Sequence, residues 1–260
     1  MKKRIVSTCV LLLLIPGFLA LQLSAQQLNH TDSKGLKQGP WKTYYANQKL
    51  KSEGSYKNNK PLGMFKLYFS NGSLKAEMNY KEDMKTCAAV LYDSLGKKMA
   101  EGIYIDRKKE GEWKYFSEET GTLRSTETFK ADVLNGPYKV FYRDTANTGA
   151  IMEEGIYVNG LREGQVKQYY SDGKPHSTFT YKAGIASGPV IFYYPSGAKQ
   201  VQGSHDEEGR RHGLWIRYDE KGVPKDKLEY RHGSAKGKDM IINTAPEKPI
   251  QVNTPDGIKE

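Results

Sequence analysis

Bulky apolar and polar residues alternate along this chain in short runs, and the runs recur at a nearly fixed spacing. Copies start at Gly39, Gly63, Cys87, Gly111, Gly136, Gly164, Gly188 and Gly213, separated by 24, 24, 24, 25, 28, 24 and 25 residues. Two residues after each start stands Trp41, Phe65, Ala89, Trp113, Tyr138, Val166, Val190 or Trp215. Five residues after it stands an aromatic: Tyr44, Tyr68, Tyr92, Phe116, Phe141, Tyr169, Tyr193 or Tyr218. A turn signal follows, as in Asn71-Gly72, Asp172-Gly173 and Ser196-Gly197, with Asn47-Gln48 the departure in the first copy. A second apolar run then places Tyr56, Tyr80, Tyr104, Tyr181 and Tyr230 seventeen residues from the start, and His205 breaks that row.

Period-two alternation bounded by Asn-Gly or Asp-Gly reads as strand, tight turn, strand, because glycine accepts the positive φ of hairpin turns. A connector such as Asn159-Gly160-Leu161-Arg162-Glu163 leads into the next glycine. Strands of five or six residues are expected, and the recurring glycines are read as turn residues. The two long copies carry one extra residue before Gly121 and four before Gly149, and they displace Phe129 by one and Tyr157 by four. Insertions of this kind lengthen hairpin tips and leave strands in place.

A period of this size marks a repeat array. The expected fold is all-β: an extended antiparallel β-meander of about eight tandem two-stranded hairpin repeats over residues 39–236. Each hairpin is marginal alone and depends on its neighbours. Lys2, Lys3 and Arg4 before the uncharged stretch Ile5 to Leu21, with Ser24-Ala25 behind it, read as a signal peptide over 1–25. The mature chain is then expected to be exported to a periplasmic, cell-envelope or extracellular site; an uncleaved anchor is the alternative. Lys34-Gly35-Leu36-Lys37-Gln38 matches the connector, so residues 26–38 read as an N-terminal half repeat or frayed cap, 237–243 as a truncated capping repeat, and 244–260 as a flexible polar tail.

Charge changes the picture modestly. The net charge is +10, and removal of three signal-peptide cations leaves +7, spread along the chain. Such basicity favours acidic protein, glycan or anionic membrane partners, and export excludes nucleic acid. Cys87 is the one cysteine of the mature chain, so no internal disulfide is expected, and it reads as a small buried residue in a glycine slot.

Alternation also sorts candidate binding residues, since the third and fifth positions of each copy share one face. They form a lysine and aromatic strip of Lys42, Tyr44, Lys66, Tyr68, Lys114, Phe116, Lys139, Phe141, Lys167 and Tyr169. In the last copies the strip becomes an apolar docking patch of Ile191, Tyr193, Ile216 and Tyr218. Cross-strand packing of aromatic ladders under lysine stems explains the same residues without a ligand. Apolar residues on both faces also make self-association an expectation.

Catalytic signatures are absent: there is no Gly-x-Ser-x-Gly, no His-Glu-x-x-His, no phosphate-binding glycine loop and no paired cysteines. No enzyme, cofactor or metal is expected. The nearest acidic cluster, His205-Asp206-Glu207-Glu208, reads as a polar connector. Repeated carboxylates at Glu53, Glu77, Glu101 and Glu154 argue for a structural contact in every copy, because an active site is needed once.

The pattern Gly39-Pro40-Trp41-Lys42-Thr43-Tyr44-Tyr45 with Glu53-Gly54-Ser55-Tyr56 resembles the MORN repeat variant family, over roughly residues 35–242. Bacterial chains of this kind are labelled YwqK-like antitoxins. The resemblance implies an extended β-meander acting as an interaction scaffold. The leading expectation is an exported, noncatalytic scaffold for a protein partner, antitoxin-like or immunity-like. An envelope module binding anionic lipid or glycan through the lysine and aromatic strip is the alternative.

Overall fold

A computed structural model describes residues 27–143 and 149–236; the expected signal peptide, capping repeat and tail lie outside the described residues. The strands are β1 (His30–Thr31), β2 (Lys37–Tyr44), β3 (Leu50–Lys57), β4 (Lys60–Tyr68), β5 (Leu74–Tyr80) and β6 (Thr86–Tyr92). They continue as β7 (Lys98–Ile105), β8 (Lys108–Phe116), β9 (Leu123–Lys130), β10 (Val133–Phe141), β11 (Ile151–Val158) and β12 (Leu161–Tyr169). The last are β13 (Pro175–Lys182), β14 (Ile185–Tyr193), β15 (Lys199–His205), β16 (Arg211–Tyr218), β17 (Pro224–Arg231) and β18 (Ser234–Lys236). Each pairs antiparallel with the next in sequence, giving one open meander that ends, among the described residues, at β1 and β18.

Apart from short end strands, the strands run seven to nine residues, longer than the five or six expected. The excess comes from the connectors, six of which are two-residue turns, while those over 81–85 and 206–210 run five residues. Asn58-Asn59, Asp106-Arg107, Ala131-Asp132, Asn159-Gly160, Ala183-Gly184 and His232-Gly233 have positive φ at both positions. That geometry matches strand twist, and Asn, Asp and Gly tolerate it best. The next strand therefore begins before its start glycine.

The start glycines consequently sit inside strands, which corrects their reading as turn residues. From Gly63 to Gly213 each has positive φ, and at each the pairing with the preceding strand slips register. Cys87 breaks the rule in the way its side chain demands. It takes no positive φ, and β5–β6 pairs from Ala76↔Leu91 to Tyr80↔Cys87 without a slip. At the hairpin tips glycine does serve the turn, and Gln48 adopts φ 63° where the first copy lacks it.

Neighbouring copies are stapled as well as paired. The hydroxyls of Tyr45, Tyr170 and Tyr194 donate to the carbonyls of Tyr68, Tyr193 and Tyr218, one copy on, at 2.6, 2.7 and 2.8 Å. Asn47 and Asn71 reach the next turn at the Ser70 and Ser94 carbonyls, each at 3.0 Å.

The inner face holds the core. Trp113 and Ala76 are fully buried although no second layer among the described residues covers them. Large rings achieve this by lying flat over glycines of the adjacent strand, as Phe65 does over Gly54 and Trp113 over Gly102. One apolar cluster runs from Ala76 to Phe129 and another from Val166 to Tyr230. Between them lies a polar stretch.

Candidate binding groove and charged rows

Strand register builds two rows across the sheet. On the outer face, Lys42 faces Glu53, Glu53 faces Lys66 and Lys66 faces Glu77; Val90, Glu101, Lys114, Thr126, Lys139, Glu154 and Lys167 continue the row. It ends in Thr178, Ile191, Gln202, Ile216 and Lys227. Ion pairs join Lys42 to Glu53 at 3.2 Å and Lys66 to Glu77 at 3.6 Å, while Glu101 takes Lys98 at 2.8 Å and Lys114 at 3.9 Å.

The tyrosines of the strip complete these contacts. Tyr68 donates to Glu53 at 2.7 Å, Tyr92 to Glu77 at 3.1 Å and Tyr169 to Glu154 at 2.7 Å. Burial, then the hydrogen bond to Glu53, pushes the Tyr68 phenol up to about 12. Glu53 is held below the ordinary carboxylate range by that hydrogen bond and by Lys42. Glu53 and Glu77 thus hold a tyrosine and a lysine each, Glu101 holds two lysines and Glu154 a tyrosine, so the strip is largely a ladder of alternating charge. Its apolar end, with Ile191, Tyr193, Ile216 and Tyr218 all half-buried, flanks Gln202 on the same face.

The inner face carries a different arrangement. Lys37 lies over Trp41 and Tyr56 at 4.8 and 4.9 Å, Arg162 over Tyr138 and Tyr181 at 5.5 Å each, and Arg211 over Trp215 and Tyr230 at 4.8 and 5.4 Å. Lys109 is buried over Trp113 and Phe129 at 5.1 and 4.9 Å and donates to the Tyr115 hydroxyl at 3.0 Å. All four cations stand two residues before a start glycine, a signal visible in the sequence that the strip-based reading missed.

At the middle of this face polar side chains replace apolar ones. Glu153, 0 % exposed, accepts from Tyr138 at 2.8 Å, Arg162 at 2.7 Å and Gln168 at 2.9 Å, and Gln168 accepts from Ser177 at 2.7 Å. Glu127, 3 % exposed, stands between Trp113 and Tyr138 in the row where other strands carry glycine or an apolar residue. Burial pushes its carboxyl up to about 7, against the pull of Lys109 and Arg124. Its Oε2 accepts no hydrogen bond among the described residues.

Toward the N-terminal copies the inner face opens into a groove of about 1030 Å³. Tyr56, Phe65, Tyr80 and Tyr104 line it, with Lys60 and Lys85 among its cations. Cys87 closes its base, 1 % exposed, with burial pushing the thiol up to about 12, so it behaves as a packing residue.

Four of the repeats match the MORN repeat variant. The matched segments are residues 37–58, 61–82, 162–183 and 211–232, each a strand pair that opens two residues before its start glycine. No curated protein matches the chain. Among solved structures, a crystal structure of TarM is similar at 12% identity and a TM-score of 0.29, over 38% of this chain and 19% of TarM. A crystal structure of TcdB2-TccC3-TEV is similar at 11% identity and a TM-score of 0.21, over 75% of this chain and 12% of that one. The chain thus spans a small part of either protein's length.

Near the C-terminal end of the described sheet, one further cluster forms from elements distant in sequence. Asp206, His212 and His232 place their ligand-type atoms within 4.8 Å of one another. Only Asp206 belongs to the acidic run noted above, and the histidines arrive six and 26 residues later. Nearby His205 stacks edge-on against Trp215 at 5.3 Å and so fills the aromatic slot that its identity had left in question.

Proposed function

We propose that this chain is a noncatalytic repeat scaffold whose inner groove holds an extended, acidic protein segment with apolar side chains. In keeping with the export reading, that partner is met outside the cytoplasm, in an antitoxin-like or immunity-like role. The groove carries the reading. Aromatic rings at its floor offer large apolar area at low cost in side-chain entropy, and Lys37, Lys60, Lys85 and Arg107 at its edges outnumber the single acid, Asp106. The outer strip supports the lipid or glycan alternative less well, because its lysines face glutamates of the same sheet.

A photo-crosslinking amino acid placed at Lys60 or Met84, on the groove, and at Lys66, on the outer ladder, tests this in an envelope and secretion fraction of the source cells. The expected result is one dominant protein crosslinked from the groove positions and little from Lys66. Charge reversal of Lys60 and Lys85 should weaken that capture, whereas glutamine at Lys42, Lys66 and Lys114 should leave it. Labelling from Lys66 alone, or binding only to anionic vesicles that salt reverses, defeats the groove reading.

A further inference from the structure

The last copies bring one carboxylate and two imidazoles together near the C-terminal edge of the sheet. Asp206 lies in the turn between β15 and β16, His212 near the start of β16, and His232 in the turn between β17 and β18. Their ligand-type atoms lie within 4.8 Å of one another. Asp206 is held in place from behind: its Oδ1 accepts the backbone N–H groups of Glu208 at 3.1 Å and Arg210 at 2.9 Å. That leaves Oδ2 facing His232 Nδ1 at 3.2 Å. Anchoring of a ligating carboxylate by outer hydrogen bonds is what orients a metal ligand.

A cation already sits at this spot. Arg210 places Nε 3.0 Å from Asp206 Oδ2 and Nη2 3.1 Å from His232 Nδ1, with Glu208 holding the same guanidinium at 2.7 Å. The position is therefore built for positive charge, and the guanidinium is a side chain that can swing out on a half-exposed stem. Both histidines are exposed, so an ion has a path in and their rings have room to turn. Tetrahedral donors at zinc bond lengths lie about 3.3 Å apart, so closure from the present spacing asks only for side-chain rotation.

We propose that Asp206, His212 and His232 bind a divalent transition metal ion of the zinc type, through two imidazole nitrogens and one carboxylate oxygen, with Arg210 as the competing internal cation. Two imidazoles and a carboxylate suit zinc and exclude calcium and magnesium, which take oxygen. A fourth position stays open to water. The ion ties two turns and a strand together across β15 to β18, so its effect is to clamp the C-terminal edge of the array.

The test uses the full chain without a polyhistidine tag, stripped with a chelator and titrated with Zn²⁺ by calorimetry, with thermal melting alongside. One equivalent should bind and raise the melting temperature. His212→Ala and His232→Ala should each weaken binding by about tenfold or more. Arg210→Gln should tighten it, a gain that no loss of folding can imitate. The proposal is overturned by the absence of saturable binding, by affinity unchanged in the two alanine variants, or by Arg210→Gln binding no more tightly than the native chain.

Discussion

Trp215 lies flat on Gly203 of the neighbouring strand. A Cβ at Gly203 would stand 2.2 Å from Trp215 Cδ2, while Trp215 Nε1 donates to the Ser204 carbonyl at 3.1 Å. Trp113 repeats the contact on Gly102 at 2.4 Å with Nε1 on the Ile103 carbonyl at 3.1 Å. Glycine is required here for space and not for φ. Gly203→Ala should therefore cost about 1–3 kcal/mol by overpacking and shift the tryptophan fluorescence. Gly63 is the opposite case, with φ +71° and nothing within 4 Å of the position a Cβ would take. Gly63→Ala should cost about 1–2 kcal/mol through backbone strain alone and leave the tryptophan signal in place. Urea unfolding followed by fluorescence separates the two, and equal spectra for both variants would contradict the assignment.

These two glycine roles mark what the sequence made legible. Fixed spacing of glycine, aromatic and turn residue was enough for the hairpin meander, because the local signals agreed from copy to copy apart from Asn47-Gln48, Cys87 and His205. Which glycine bends the backbone and which clears room for a ring depends on strand register, and register is a long-range property. The same limit hid the ladder. Lys42 and Glu53 stand eleven positions apart in sequence and side by side in the sheet. Glu127 was hidden differently, since a glutamate in a glycine slot reads as a solvent-facing residue until its neighbours Trp113 and Tyr138 are placed. The groove likewise depends on which face buries its rings.

Glu153 and Arg162 form a buried pair at 2.7 Å in the polar middle of the inner face. Burial opposes the charge on Arg162, but Glu153 and Tyr138 hold its pKa above the ordinary value. Removing the carboxylate leaves a guanidinium desolvated between two tyrosine rings. Glu153→Ala should cost about 3–5 kcal/mol, and the double variant with Arg162→Leu should recover part of that loss. A double-mutant cycle by denaturant unfolding measures it; strictly additive losses would show that the two do not act as a pair.

The outer ladder makes a milder prediction. Tyr68 titrates near 12 because of burial and its bond to Glu53, so Glu53→Gln should bring the phenol down toward 10. The lost contacts are half-exposed, so stability should fall by only about 0.5–1 kcal/mol. Carbon-13 labelling of the tyrosine Cζ follows the titration directly. A Tyr68 midpoint that does not move would mean that burial alone sets it.

Glu127 should give the array a distinctive pH profile. Its folded-state pKa, about 7, lies above the ordinary 4.5, so the folded chain holds a proton that the unfolded chain has released between these values. Below about pH 4.5 the group contributes nothing, because both states are protonated. As pH rises from 4.5 to 7 stability falls, and above 7 the full cost is present, on the order of 3 kcal/mol. His205 works the other way: burial and Arg211 lower its pKa, so its neutral folded form gains stability as pH rises toward the ordinary imidazole value. Comparing the native chain with Glu127→Gln cancels that background. The stability advantage of the glutamine variant should grow between pH 4.5 and 7 and then level off. An advantage independent of pH would place the carboxyl's charge in water.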